Sequence, residues 1–125
     1  MAIHPDYPGL HAEVVVGSES LKEYDDDGES QPKVITKYVE VNLDAHFGVR
    51  YTIPRGLSGN FGVRTNLNID GIATCSSTHG YEKINHRNVH NCFELAYSNV
   101  DGLTYTHKFR FSQLHIGSYV LADVV

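Results

Sequence analysis

The residues best suited to bind a metal ion lie in the second half of the chain. His79, His86 and His90 occur in a polar stretch that Cys75 and Cys92 bracket, and imidazole and thiolate are both zinc ligands. Only His86 and His90 have the His-x₃-His spacing of a zinc-binding pair, and no Cys-x-x-Cys pair accompanies them. We therefore take these three histidines as a candidate zinc site, with ordinary polar loop residues as the alternative interpretation.

The same residue types could in principle perform nucleophilic catalysis. A thiol needs a neighbouring base and an orienting carboxylate, but either cysteine could be matched with any of the eight histidines. No pairing is specified by the sequence. We therefore assign no catalytic residue and no cofactor, and expect a protein that is not an enzyme.

Composition and charge exclude several classes of partner. The net charge is −5 and the lysines and arginines are scattered, so no basic patch for nucleic acid is expected. The first ten residues lack the apolar run of a signal peptide, and no later segment is apolar enough to span a membrane. None of the asparagines lies in an Asn-x-Ser/Thr context. These features favour a cytoplasmic or nuclear protein with reduced cysteines.

Alternation of apolar and polar residues predicts the strands that would position these side chains. It is clearest over Phe47–Ile53, Phe61–Ile69 and Leu103–Phe111, each with its odd-numbered residues expected in the core. Weaker strands are predicted over Leu10–Val16, Val34–Leu43 and Cys92–Tyr97.

Turn residues separate these strands. Asp70-Gly71 and Asp101-Gly102 predict type I′ hairpins, because both central residues of that turn take positive φ. Asn42–Asp44 predicts a third chain reversal. The polar segment Ser76–Asn91 is predicted to be a long loop, with room for one short helix within Tyr81–Cys92.

Together the patterns predict an all-β fold: a single antiparallel β-sandwich domain over residues 1–125, jelly-roll or immunoglobulin-like, with six to eight strands and at most one short helix. A small barrel is the second choice.

The order of short motifs resembles an uncharacterised fungal domain family of unknown function. The motifs are an acidic turn at Glu23–Asp26, a strand at Lys37–Glu40, the Asp70-Gly71 hairpin and an F-x-F-S-x-L segment at Phe109–Leu114. The resemblance implies a β-sandwich from a fungal intracellular protein and supplies no site residues.

The function expected from these observations is a protein-interaction module that binds a protein partner or a second copy of itself. Its contact surface would be a sheet edge or the Ser76–Asn91 loop. The alternatives are a zinc domain built on residues 75–92 and a β-sandwich that binds a small ligand or a carbohydrate, although the chain has eight tyrosines and no tryptophan.

Overall fold

The structure, a computed structural model, describes residues 1–28, 31–57 and 61–112, and residues 118–120 by their backbone alone. Its strands are, in chain order, β1 (Ala2–Ile3), β2 (His11–Val16), β3 (Glu19–Ser20), β4 (Glu23–Asp25), β5 (Thr36–Val39), β6 (His46–Ile53), β7 (Val63–Ile69), β8 (Ile72–His79), β9 (Val89–Phe93), β10 (Leu95–Val100), β11 (Leu103–Arg110) and β12 (Ser118–Val120). One helix, α1 (Tyr81–His86), separates β8 from β9. No helix among the described residues has the length and apolar character needed to cross a bilayer.

The strands form one large sheet, one small sheet and a separate hairpin, and every described strand pair is antiparallel. The large sheet has the order β1-β2-β6-β11-β10, with β3 paired to β2 and β9 paired to β6. The small sheet has the order β12-β5-β4, and β7 pairs with β8. The prediction of an all-β antiparallel fold with one short helix is confirmed, and the strands of five or more residues are β2 and β6–β11.

Two Asp-Gly turns close the predicted hairpins. Asp70 and Gly71 have φ angles of 52° and 77°, and Asp101 and Gly102 have 51° and 79°, as a type I′ turn requires. Asn42–Asp44 also turns, since Ala45 N–H donates to the Asn42 carbonyl at 3.1 Å. That turn joins strands of different sheets, so it does not form a hairpin.

The core lies between the large sheet and the β7–β8 hairpin. Central strand β6 buries Val49, Tyr51 and Ile53. Ile53 and Tyr51 cluster with Val63 of β7, while Val49 packs with a second group centred on β7 and β11. The hairpin therefore lies across one face of the large sheet, which gives the two packed layers of a β-sandwich.

Helix α1 anchors one end of this core. It buries Ile84 completely, and the Ile84 carbonyl accepts a hydrogen bond from Gly56 N–H at 2.9 Å. The predicted Ser76–Asn91 loop is therefore wrong: β8 continues to His79, α1 follows, and β9 begins at Val89. Polar residues occupy these strands because one face of the β7–β8 hairpin is turned to solvent.

Two strand predictions placed too many residues in the core. Phe61 is 76 % exposed, because β7 begins at Val63, opposite the last residue of its partner β8, His79. In β11 only Phe109 is buried, because β11 pairs with β6 at Phe109 and Arg110 alone.

The boundaries of two other predicted strands also differ from those in the structure. The strand predicted over Val34–Leu43 is limited to Thr36–Val39, and the one predicted over Cys92–Tyr97 breaks at Glu94. At this break the inward side shifts from Phe93 in β9 to Ala96 in β10. Residues 113 and 114 of the last motif lie outside the described part of the chain.

Candidate functional site

His79, the first residue of the predicted zinc site, is buried at the end of β8 in a hydrogen-bonded group of core side chains. Its Nε2 lies 2.8 Å from the Tyr51 hydroxyl. That hydroxyl also accepts hydrogen bonds from Thr65 Oγ1 at 2.9 Å and from Asn91 Nδ2 at 2.8 Å. Thr65 Oγ1 donates to Tyr51 over the shorter distance, since the Ser77 carbonyl is 3.3 Å away, and the Tyr51 hydroxyl can then donate its own proton to an unprotonated His79 Nε2.

The surroundings of His79 favour this neutral form. Burial lowers the pKa of His79 from its ordinary value, and the positive charge of Lys83 lowers it further. A neutral imidazole can bind zinc, but the nitrogen that faces the core is already occupied by Tyr51. The position of His79 is therefore explained by core packing.

The other two predicted ligands lie elsewhere. His90 in β9 is paired with Thr52 on the side of the sheet opposite Tyr51, and its Nδ1 lies 3.0 Å from Thr52 Oγ1. His86 is the last residue of α1. Within residues 1–28, 31–57 and 61–112, no three His, Cys, Asp or Glu side chains are grouped to hold a metal ion. Zinc binding by His79, His86 and His90 stays a prediction.

The two cysteines are free and lie on different faces of the large sheet. Cys75 packs against the core cluster of Val49, Leu67 and Phe109, whereas Cys92 is paired with Arg50 on the opposite face. Burial raises the pKa of both thiols, and Glu94 raises that of Cys92 further. Both therefore remain thiols at neutral pH and are weak nucleophiles.

A charged cluster that the sequence patterns did not reveal lies on the outer face of the large sheet. Arg50 donates to Glu13 Oε1 from Nε at 2.8 Å and from Nη2 at 2.5 Å, and Ser20 donates to Glu13 Oε2 at 2.6 Å. Burial would raise the pKa of Glu13, but the hydrogen bonds from Ser20 and Arg50 and the Arg50 charge outweigh it and lower the pKa. Glu13 and Arg50 are directly opposite in β2 and β6, so this cluster is a cross-strand ion pair that joins the two strands.

A shallow polar trough of about 350 Å³ follows the solvent face of the β7–β8 hairpin. It is lined by Arg64, Asn66, Asn68, Ala73, Thr74, Cys75 and Ser76. No aromatic ring belongs to this lining, although stacking on such a ring is the usual feature of a sugar site. The trough therefore does not favour the carbohydrate alternative.

The most unusual surface of the described chain is the β10–β11 hairpin. Six residue pairs join its strands, from Leu95 opposite Lys108 to Val100 opposite Leu103. Only Phe109 and Arg110 connect β11 to β6, so the remainder of the hairpin extends beyond the sheet. Its exposed apolar residues are Tyr97 (68 %), Leu103 (61 %), Val100 (53 %) and Tyr105 (47 %).

The two faces of this hairpin carry different side chains. Val100, Leu103 and Tyr105 lie on the face that continues from Ala96 and Phe109, which contact the core. Tyr97 lies on the other face, opposite Thr106. Odd-even alternation located the inward side of β11 correctly, but it could not reveal that the second layer ends before covering it.

Among curated proteins and among solved structures, no relative of this chain was found. A family model described as a domain of unknown function (DUF7918) matches residues 9–122. This match covers nearly the whole of the β fold described above. The chain therefore belongs to the DUF7918 family, an uncharacterised family of unknown function.

Proposed function

We propose that this domain is a non-enzymatic protein-interaction module that binds another protein through the β10–β11 hairpin. The observation that carries the proposal is the exposure of Tyr97, Val100, Leu103 and Tyr105 on a ribbon attached to the domain at one end only. Val100, Leu103 and Tyr105 share one face of the ribbon, and contiguous exposed apolar side chains are a feature of binding surfaces. A two-stranded hairpin is also only marginally stable in water by itself, so a partner that covered it would stabilise it.

The β7–β8 hairpin provides an internal comparison. It has the same Asp-Gly turn and a similarly exposed apolar residue after the glycine, Ile72. Its inner face, however, is buried through Val63, Thr65 and Leu67. Among the described residues, the fold covers one face of β7–β8 and leaves both faces of β10–β11 accessible between Phe109 and the turn, which supports the second hairpin as the contact surface.

Four of the groups with shifted pKa values support a binding role over a catalytic one. Cys75 and Cys92 are held as thiols, His79 is held neutral against Tyr51, and Glu13 is paired with Arg50. Each of these groups takes part in packing or cross-strand pairing. The most exposed apolar surface is therefore a stronger candidate for function than any of them.

A phage-displayed library of random twelve-residue peptides tests the proposal. Peptides selected on the wild-type domain are then measured against Val100→Thr/Leu103→Thr, which removes apolar surface while keeping residues suited to a strand. We expect these peptides to lose most of their affinity for the double variant and to keep it for the matched control, Ile72→Thr. If every selected peptide binds the double variant as well as it binds the wild type, the proposal is wrong.

The cellular location is a separate part of the proposal. The motif resemblance and the absence of Asn-x-Ser/Thr sites support action in the cytoplasm or nucleus of a fungal cell. Fluorescence microscopy of the tagged full-length protein in such a cell should place it in one of these compartments. A secreted or membrane-bound signal would contradict this assignment.

A further inference from the structure

Among the described residues, strand β10 has no partner along the edge that faces away from β11, and this open edge presents a definite set of backbone groups. Phe109 N–H donates to the Glu94 carbonyl, which makes residues 94 and 109 a hydrogen-bonded pair of the antiparallel ladder. Because such pairs alternate along the strands, Ala96, Ser98 and Val100 bond to β11. The N–H and C=O groups of Leu95, Tyr97 and Asn99 therefore point away from β11, toward the open edge.

The open edge of β10 has none of the features that normally prevent an edge strand from pairing with another chain. Protein edges are usually protected by short strands, charged residues, proline or a bulge. Among the described edge strands, β1 has two residues, β4 carries two carboxylates, and β7–β8 contains an irregularity between Leu67 and Asn68. The six residues of β10, Leu-Ala-Tyr-Ser-Asn-Val, include no charge and no proline.

Side chains beside the edge would contact an added strand on both faces. Tyr97 projects on one face, and Val100 projects on the other beside Leu103 and Tyr105. A strand added to β10 would place its own alternate side chains on these two faces. Apolar residues at those positions would cover the exposed surface.

The charges at the ends of β10 distinguish between possible partners. Exposed Glu94 precedes the strand and exposed Asp101 follows it. If two copies paired antiparallel along the whole of β10, Glu94 of one copy would lie near the partner's Asp101 at both ends. Like charges at such positions are destabilising, and each copy also carries a net charge of −5.

We infer that the partner is an extended segment of a different protein that adds to the open edge of β10 as an antiparallel strand and carries Lys or Arg near both ends. This inference rests on the proposed function and specifies its partner. Backbone hydrogen bonds to Leu95, Tyr97 and Asn99 provide affinity, and the apolar faces and terminal carboxylates provide selectivity.

Amide hydrogen exchange with two synthetic peptides tests the inference directly. The peptides share a Val-Thr-Val-Thr-Val core, and one has Arg at both ends whereas the other has Glu. We expect the Arg peptide to slow exchange at the amides of Leu95, Tyr97 and Asn99, and to bind at least about fivefold more tightly than the Glu peptide. Equal binding of the two peptides would overturn the charge assignment.

A pair of variants at one position provides a second measurement. Asn99→Pro removes an outward N–H while leaving the hydrogen bonds to β11 in place, and proline is tolerated on an edge strand. Asn99→Thr changes the side chain but keeps the N–H. We expect the proline variant alone to weaken binding of the Arg peptide, by about fivefold for one lost hydrogen bond. Slow amide exchange at Ser98 and Val100 in the unbound Asn99→Pro variant will show that its hairpin is intact.

The outcomes separate the two proposals. If library peptides depend on Val100 and Leu103 but the amides of Leu95, Tyr97 and Asn99 gain no protection, strand addition is wrong and the interaction module stands. If the library peptides also ignore the hairpin, both proposals are wrong. A wild-type dimer in light scattering that Asn99→Pro converts to a monomer would overturn the assignment of a different protein as the partner.

Discussion

At the scale of single residues, the Tyr51 hydroxyl is the most connected polar group of the described core. It joins β6, β7, β8 and β9 through Thr65, His79 and Asn91. The hydroxyl therefore links the two layers of the fold at one point. A buried polar group left without its partner costs about 1–3 kcal/mol.

Tyr51→Phe should lower the free energy of unfolding by about 1–3 kcal/mol, because the variant leaves buried polar groups of His79, Thr65 and Asn91 without their shared partner. Urea denaturation followed by circular dichroism measures the change. Tyr105→Phe, at an exposed position, is the matched control and should change it by less than about 0.5 kcal/mol. Equal effects of the two substitutions would contradict this prediction.

His79 should make the stability of the domain depend on pH. Its folded-state pKa is lowered from the ordinary value of 6.5 by burial and by Lys83, so the unfolded chain binds a proton at a higher pH than the folded chain does. The free energy of unfolding contributed by His79 is therefore intact above about pH 6.5 and falls as the pH decreases from there toward the folded pKa.

Urea denaturation at pH 7.5 and pH 5.5 measures this loss. The contribution of His79 is isolated by comparing variants. His79→Gln should reduce the difference between the two pH values, because glutamine keeps an acceptor for Tyr51 but does not titrate. His90→Gln, at an exposed position, should leave it near the wild-type value. The interpretation fails if both variants retain the full pH dependence.

At the scale of the elements, the junction at Gly48 decides how β9 and β11 share one edge of β6. β9 pairs with Val49–Ile53 and β11 pairs with His46 and Phe47, so Gly48 lies where the two strands meet. A Cβ at Gly48 would lie 2.9 Å from Cys92 Sγ and 3.2 Å from the Phe93 carbonyl oxygen. The absence of a side chain allows β9 to approach before it breaks at Glu94.

Gly48→Ala should therefore destabilise the domain by about 1–3 kcal/mol, the usual effect of overpacking. Thermal denaturation of the wild type and the variant measures the change. Gly80→Ala is the matched control, since a Cβ there meets no atom within 4 Å and Gly80 has φ −68°. A Gly48→Ala protein that melts at the temperature of the control would show that the junction relaxes freely.

At the scale of the whole molecule, the zinc hypothesis is tested by the zinc content of the purified protein. His79 and His90 point to different faces of the large sheet, so one ion bound by His79, His86 and His90 would require β9 or α1 to move. Elemental analysis of the untagged protein should therefore find less than about 0.1 equivalent of zinc. Stoichiometric zinc that is lost in His86→Ala and His90→Ala would support the hypothesis.

Local sequence determined much of the strand framework. Alternation located β6, β7 and β11 because a half-buried strand must alternate, and the two Asp-Gly pairs located their turns because few residues accept positive φ. These features depend on neighbours within a few residues. They can therefore be read without knowing how the strands pair.

Only the tertiary structure decided which alternating faces are buried. Leu103 and Tyr105 alternate as clearly as Val49 and Tyr51, yet the first two are exposed and the last two are buried. The difference arises because β7–β8 covers β6, whereas β11 pairs with β6 only at its last two residues, Phe109 and Arg110. Burial depends on contacts between residues distant in sequence. Such contacts also place His79 beside Tyr51, and among the described strands they leave the outer edge of β10 without a partner.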